Sequence, residues 1–202
     1  MKTIQSTIVI FIAVIFATST LFSSCSKDED AKPQQQTQVV YESEDFYDGF
    51  ITKAVLPSFV SVEGNPDFFE IGLVFKPLVK GKINKFFLKT PTQNIMIRVT
   101  LWDKTTKAVL KSINCGMINY SYGEFTFNEI QLEKNKEYVI SMNANKYNNY
   151  AGVGNIAYPI TSGNIQVLDY VTNFGNSQTF PEISTNNESV NGKVSFNFIR
   201  TE

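Results

Sequence analysis

Apolar residues in this chain recur at every second position over several stretches, and that period limits what the chain can fold into. Phe69, Ile71, Leu73 and Phe75 share one phase, with Glu70, Gly72 and Val74 between them. Ile95, Ile97, Val99 and Leu101 form a second set against Met96, Arg98, Thr100 and Trp102. Tyr138, Ile140, Met142 and Ala144 alternate with Val139, Ser141 and Asn143, and Val194, Phe196 and Phe198 repeat the pattern near the end. Successive side chains of a strand point to opposite faces, so each set predicts a strand with one face on a core. Between the sets, Asp103-Lys104-Thr105-Thr106, Glu133-Lys134-Asn135-Lys136 and Asn173-Phe174-Gly175-Asn176 carry turn-favouring residues. Phe125 and Phe127 keep a phase that Ile130 and Leu132 do not, which predicts a bulge near Asn128 and Glu129. Beyond the N-terminal region no stretch shows a helical period. The expectation is an all-β, antiparallel β-sandwich in a single domain.

The N-terminus reads differently. Lys2 precedes an apolar run from Ile8 to Phe16, too short to span a bilayer, and Ser23 and Ser24 stand before Cys25. The segment resembles a bacterial lipobox, in which cleavage before the cysteine leaves it as an acylated first residue. Phe22 departs from that pattern, and a plain secretory signal is the alternative. Acyl chains contribute about 0.8 kcal/mol per buried methylene, so two or three on Cys25 anchor a chain without a transmembrane helix. Ser26-Lys27-Asp28-Glu29-Asp30 resembles the lysine-then-acidic export signal of Bacteroidetes surface lipoproteins, with an ordinary acidic tether as the alternative. The organisation expected is a signal peptide over 1–24, a flexible acidic and Gln-rich tether over 25–40, and the sandwich over 41–202. The expected location is the outer membrane, by a lipid anchor, at the cell surface.

Charge and residue usage exclude several chemistries. Losing Lys2 with the signal takes the formal charge from −1 to −2, which gives nucleic acid no basic surface to bind. The chain has no histidine, and Ser-His-Asp and Cys-His catalysis and His-ligated zinc all require one. With Cys25 acylated, Cys115 has no disulfide partner and reads as a small buried residue. Carboxylate chemistry survives, with Asp45, Asp48, Glu70, Asp103, Glu124 and Asp169 as scattered candidates and no pair standing out. A structural calcium needs six or more converging oxygens, and Asp45 and Asp48 in Glu42-Ser43-Glu44-Asp45-Phe46-Tyr47-Asp48 lack the glycine turn of an EF-hand loop, so no metal site is assigned. No cofactor is expected.

The order Phe69-Glu70-Ile71-Gly72-Leu73-Val74-Phe75, Thr100-Leu101-Trp102-Asp103, Phe125-Thr126-Phe127, Tyr138-Val139-Ile140-Ser141-Met142, Tyr150-Ala151, Phe180-Pro181 and Val194-Ser195-Phe196-Asn197-Phe198 resembles the domain of unknown function 4082. The resemblance runs from Val55 to Arg200 and implies a jelly-roll-like sandwich, with binding of glycan as its role. The family's Gly-His-Tyr turn is absent; Asn145-Lys146-Tyr147-Asn148-Asn149-Tyr150 stands in its place.

A sugar site needs aromatic faces beside amides or carboxylates. Asn143, Asn145, Tyr147, Asn148, Asn149 and Tyr150 supply both and form the candidate ligand site, with Tyr120 and Tyr122 in a second loop. Connecting turns use the same residues, so plain structural use is the competing explanation. Trp102 is either a stacking platform or packing, with packing favoured, and Arg98 reads as a surface ion-pair partner. Three function classes follow: a surface lipoprotein presenting a non-catalytic binding sandwich for glycan or polysaccharide, a structural or assembly subunit that binds an envelope protein, and a small carboxylate-dependent glycosidase or lyase. An open edge strand or apolar face favours the second class, and a cleft lined with Tyr and Asn favours the first. The stretch from Tyr41 to Val60 is aromatic enough to cap the sandwich or dock a partner.

Overall fold

A computed structural model describes residues 40–63, 65–118, 122–184 and 188–202. Cys25, the signal peptide, the tether and Tyr120 lie outside them. The elements, in chain order, are β1 (Ser43–Asp45), α1 (Tyr47–Lys53), β2 (Ser58–Val62), β3 (Phe69–Pro77), β4 (Gly81–Lys89), β5 (Ile95–Asp103), β6 (Val109–Met117) and β7 (Gly123–Leu132). They continue with β8 (Tyr138–Ala144), β9 (Tyr147–Ala151), β10 (Ile160–Ser162), β11 (Ile165–Phe174), β12 (Ile183–Ser184), β13 (Ser189–Asn191) and β14 (Lys193–Arg200).

Three antiparallel sheets form. One runs β1-β14-β4-β7, a larger one runs β10-β11-β3-β8-β5-β6 with β12 beside β11, and a small one runs β13-β9-β2. Numbering β1, β3, β4, β5, β6, β7, β8 and β14 from 1 to 8 turns the first order into 1-8-3-6 and the core of the second into 2-7-4-5. That is a jelly roll, in which, among these eight strands, the chain crosses between sheets at nearly every connection and β5 and β6 alone form a simple hairpin.

The alternation seen in the sequence is the inner face. Ile71, Leu73 and Phe75 of β3, Ile97, Val99 and Leu101 of β5, Tyr138, Ile140 and Met142 of β8 and Val194, Phe196 and Phe198 of β14 all enter one core. Each fully buried side chain of this size is worth about 1.5–3 kcal/mol. At its centre the Phe196 ring lies 4.7 Å from Phe75 and 5.1 Å from Phe46. The bulge falls where the phase breaks: Thr126 pairs with Lys85 and Ile130 with Ile83, so three residues of β7 stand opposite Asn84.

One helix was not expected. Phe46, Tyr47, Phe50, Ile51 and Ala54 recur at spacings of three and four, and α1 lays them over the open end of the sandwich, with Tyr47 and Phe50 fully buried. Seven residues are too few for a period to stand out from the flanking strands. The capping role expected of Tyr41 to Val60 is thus carried partly by a helix.

The outer face of the larger sheet is covered as well. Phe180 packs edge-on against Trp102 at 5.7 Å, while the Trp102 indole N–H donates to the Ser141 hydroxyl at 2.8 Å, so the tryptophan is packing. Ser141 donates to Glu70 at 2.6 Å, and Arg98 pairs with Glu70 at 2.9 Å. Arg98 is therefore no surface ion-pair partner: its carboxylate is 1% exposed, because β3 turns Glu70 to a face that residues 175–182 cover. Burial pushes the Glu70 carboxyl above its ordinary value, against the pull of Ser141 and Arg98.

A carboxyl raised by folding penalises its ionised form, so its contribution is full below the unfolded pKa and lost as pH rises through the folded one. Arg98→Met leaves Glu70 without its countercharge, and urea titration should show a loss of roughly 3 kcal/mol near pH 7 that shrinks at about pH 4. Asp103 has the opposite sign: the Lys136 ammonium and the Thr106 N–H hold its carboxyl down from 3.8 to about 2. Its stabilisation is present above 3.8 and disappears as pH falls through about 2. Asp103→Asn keeps an oxygen for the turn N–H groups of Thr105 and Thr106, so acid titration of this variant should lose pH dependence in that window while the fold persists.

Candidate binding site

The stretch Asn143 to Tyr150 is not the loop its composition suggested. Asn143 and Ala144 end β8, Asn145 and Lys146 turn, and Tyr147 to Tyr150 belong to β9. Tyr147 and Tyr150 point into the core, Tyr150 edge-on to Tyr47 at 5.9 Å. Asn143 donates to the Gly175 carbonyl at 3.0 Å and Asn145 to the Asn65 carbonyl at 3.2 Å. Asn148 accepts from Ser61 at 3.3 Å, and Asn149 donates to Asn191. These amides hold one chain segment to another. Asn143 and Asn145 line a recess of about 200 Å3 with Phe68, Met96 and Lys146, whereas Tyr150 lines a different one. Tyr122 is exposed and stacks on Phe87 at 5.7 Å.

That other recess is the larger, a groove of about 360 Å3 lined by Ile51, Thr52, Val55, Leu56, Pro57, Phe59 and Tyr150. Its walls come from the end of α1 and the start of β2, and Tyr150 of β9 forms part of its floor. Val55 and Phe59 are 67% and 57% exposed, and Val60 and Val153 are exposed nearby. The Phe59 ring lies 6.0 Å from Tyr150, with the Lys89 ammonium 5.7 Å over its face.

One backbone position in this wall is strained. α1 ends at Ala54, the Val55 N–H bonds to the Thr52 carbonyl and the Leu56 N–H to the Ile51 carbonyl, both at 3.2 Å. Those two bonds define a Schellman ending, whose turning residue sits in the left-handed region and is ordinarily glycine. Here it is Val55, at φ 56°. A β-branched side chain resists that conformation by roughly 1–2 kcal/mol. Gly152 sits against the same turn, where any Cβ would strike the Val55 carbonyl oxygen. No periodicity signals such a site; a Val in place of a helix-ending Gly is its trace in the sequence, legible only once α1 is placed.

The scattered carboxylates are engaged in structure. Asp45 accepts the Tyr47 N–H, Asp48 pairs with Lys193, Glu124 with Lys85 and Asp103 with Lys136, and Asp169 accepts the Tyr170 N–H. Asp169 also lines a recess of about 260 Å3 with Lys104, Lys107, Phe180 and Glu182, and Glu182 is paired with Lys107. Among the described residues no group of three or more Cys, Asp or Glu is placed to hold a metal ion. Cys115 is buried in the core, which pushes its thiol up to about 12 and makes it a poor nucleophile. No described helix is long and apolar enough to cross a membrane.

Residues 54–191 match the family described as Domain of unknown function (DUF4082). The chain belongs to that family. No curated protein matches the sequence. The DUF4082 match begins one residue before Val55 and includes Leu56, Pro57, Phe59 and Tyr150 of the groove, while Ile51, Thr52 and the closing strand β14 lie outside it.

If Val55 is held against its backbone preference, relieving it should stabilise the fold. Val55→Gly is expected to raise the thermal midpoint by the equivalent of about 0.5–1 kcal/mol, strain relief outweighing the entropy glycine adds to the unfolded chain. An unchanged or lowered midpoint in a thermal melt contradicts this.

Proposed function

We propose that this protein is a non-catalytic binding subunit of the bacterial outer membrane, held at the cell surface by acyl chains on Cys25, and that its binding face is the groove between α1, β2 and β9. The observation that carries this reading is Val55: an exposed β-branched residue kept in a conformation suited to glycine, at the mouth of the groove of about 360 Å3. Strain of this kind persists where a surface is used, because stability alone would remove it.

The groove's chemistry favours an envelope protein as the ligand. Its walls are apolar, and the neighbouring amides of Asn148 and Asn149 are already bonded to Ser61 and Asn191, leaving few groups for sugar hydroxyls. Apolar side chains of a partner would fill such a groove and release its water. A second reading, carbohydrate binding, is favoured by one observation: the exposed Phe59 ring beside Tyr150, a face on which a sugar could stack. The carboxylates, each engaged in structure on a different element, support a non-catalytic role over a glycosidase.

Anchoring and binding separate in one experiment. Cys25→Ser should abolish labelled palmitate incorporation and release the protein from the membrane fraction. Full-length protein in detergent is then screened against polysaccharide arrays and against fractionated envelope proteins. Val55→Glu and Phe59→Ser should each weaken capture of the bound species about tenfold with the thermal melt retained. Undiminished capture places the binding face elsewhere.

A further inference from the structure

The strand beside the groove is open along its outer edge. In the order β13-β9-β2, β2 stands last, and no described strand pairs with its far side. The backbone groups it presents there can be identified. The Gly192 N–H donates to the Asn148 carbonyl at 2.7 Å, so Asn148 turns its polar backbone toward β13. Residues alternate along an antiparallel strand, so Tyr150 faces β13 as well, and Tyr147, Asn149 and Ala151 face β2. Their partners are Val62, Val60 and Ser58. Phe59 and Ser61 are left with both N–H and C=O groups directed outward.

Exposed edges are usually blunted by charge, proline or a bulge. The β7 edge has Glu124, Glu129 and its bulge, and β6 has Lys111. β2 reads Ser-Phe-Val-Ser-Val, with no charge and no proline, and Phe59 and Val60 are exposed on its two faces. The Lys89 ammonium lies over Phe59 and pairs with no carboxylate among the described residues.

Resting on the reading of the groove as the binding face, we infer that β2 captures an extended polypeptide segment of a partner protein as a fourth strand, which sets an apolar side chain in the groove and an acidic one near Lys89. The occupant is a strand because only a peptide backbone repeats donors and acceptors at the spacing that Phe59 and Ser61 present. It is a foreign, acidic segment because a second copy of this chain would bring another Lys89 toward the first, whereas a carboxylate complements it.

A random linear-peptide display library selected on the full-length protein in detergent tests this. Enriched peptides should alternate apolar and polar residues and carry Asp or Glu. N-methylation of their alternate backbone amides, which deletes donors and leaves side chains intact, should weaken binding at least about tenfold. Ser61→Pro removes one outward N–H and should cost a similar factor, Ser61→Ala should not, and Lys89→Glu should reduce affinity for the acidic peptides. Equal binding of the N-methylated peptides, full binding by Ser61→Pro, or no enrichment overturns the inference. Self-association that Ser61→Pro abolishes overturns it too, by assigning the edge to a second copy. Loss of binding in Phe59→Ser with none in Ser61→Pro leaves the groove as the binding face and removes only strand addition.

Discussion

The Phe196 ring ties the molecule together. It lies on the last long strand, β14, and packs on Phe75 from the opposite sheet and on Phe46 from the start of the described chain. β14 is itself inserted between β1 and β4, so the smaller face of the jelly roll is incomplete until the C-terminal residues arrive. Tyr47, one position after Phe46, donates its hydroxyl hydrogen to the Gly192 carbonyl just before β14. The N-terminal cap, the closing strand and both faces of the core therefore form as one cooperative unit, with mostly long-range pairings of the kind that fold slowly. The groove inherits its rigidity from this arrangement: α1 cannot shift without moving Tyr47 and Phe50 out of the core.

The two faces of the larger sheet are stabilised by different physics. The inner face is a continuous apolar layer. The outer face holds Glu70, Arg98, Ser141 and Trp102 in a connected polar network, with Val74, Val139 and Val171 beside it. A buried carboxylate is tolerated there because an arginine and a hydroxyl both satisfy it. The segment that covers this face is fixed by Arg98 and Asn143, which donate to the Asn176 and Gly175 carbonyls, so the network also orders a long connection.

What could be read from the sequence follows from which forces are local. Strand phase is local, and Ile71 to Phe75, Ile97 to Leu101 and Phe196 to Phe198 face inward as their spacing requires. The bulge in β7 was legible for the same reason: a register slip changes which face Ile130 occupies. Trp102 was readable as packing because an indole needs a donor partner and a cover. Helix α1 was not, since its few apolar contacts are set by the end of a sandwich that the local sequence does not describe. The Asn-Tyr stretch misled because Asn and Tyr serve turns, sugar sites and structural amide bridges alike; only the partners, Gly175, Asn65, Ser61 and Asn191, separate these uses. Val55 carries no signal of its own strain, which exists only once Ile51 and Thr52 accept the bonds that close the helix.

The groove and the adjoining outer edge of β2 stay open, while the inner side of β2 is paired with β9. Residue-resolved amide hydrogen exchange on the full-length protein measures this directly. The amides of Phe59 and Ser61 should exchange at least about tenfold faster than those of Val60 and Val62, which are bonded to β9. Equal, slow exchange at all four positions would mean that the edge is already covered, and would contradict the account.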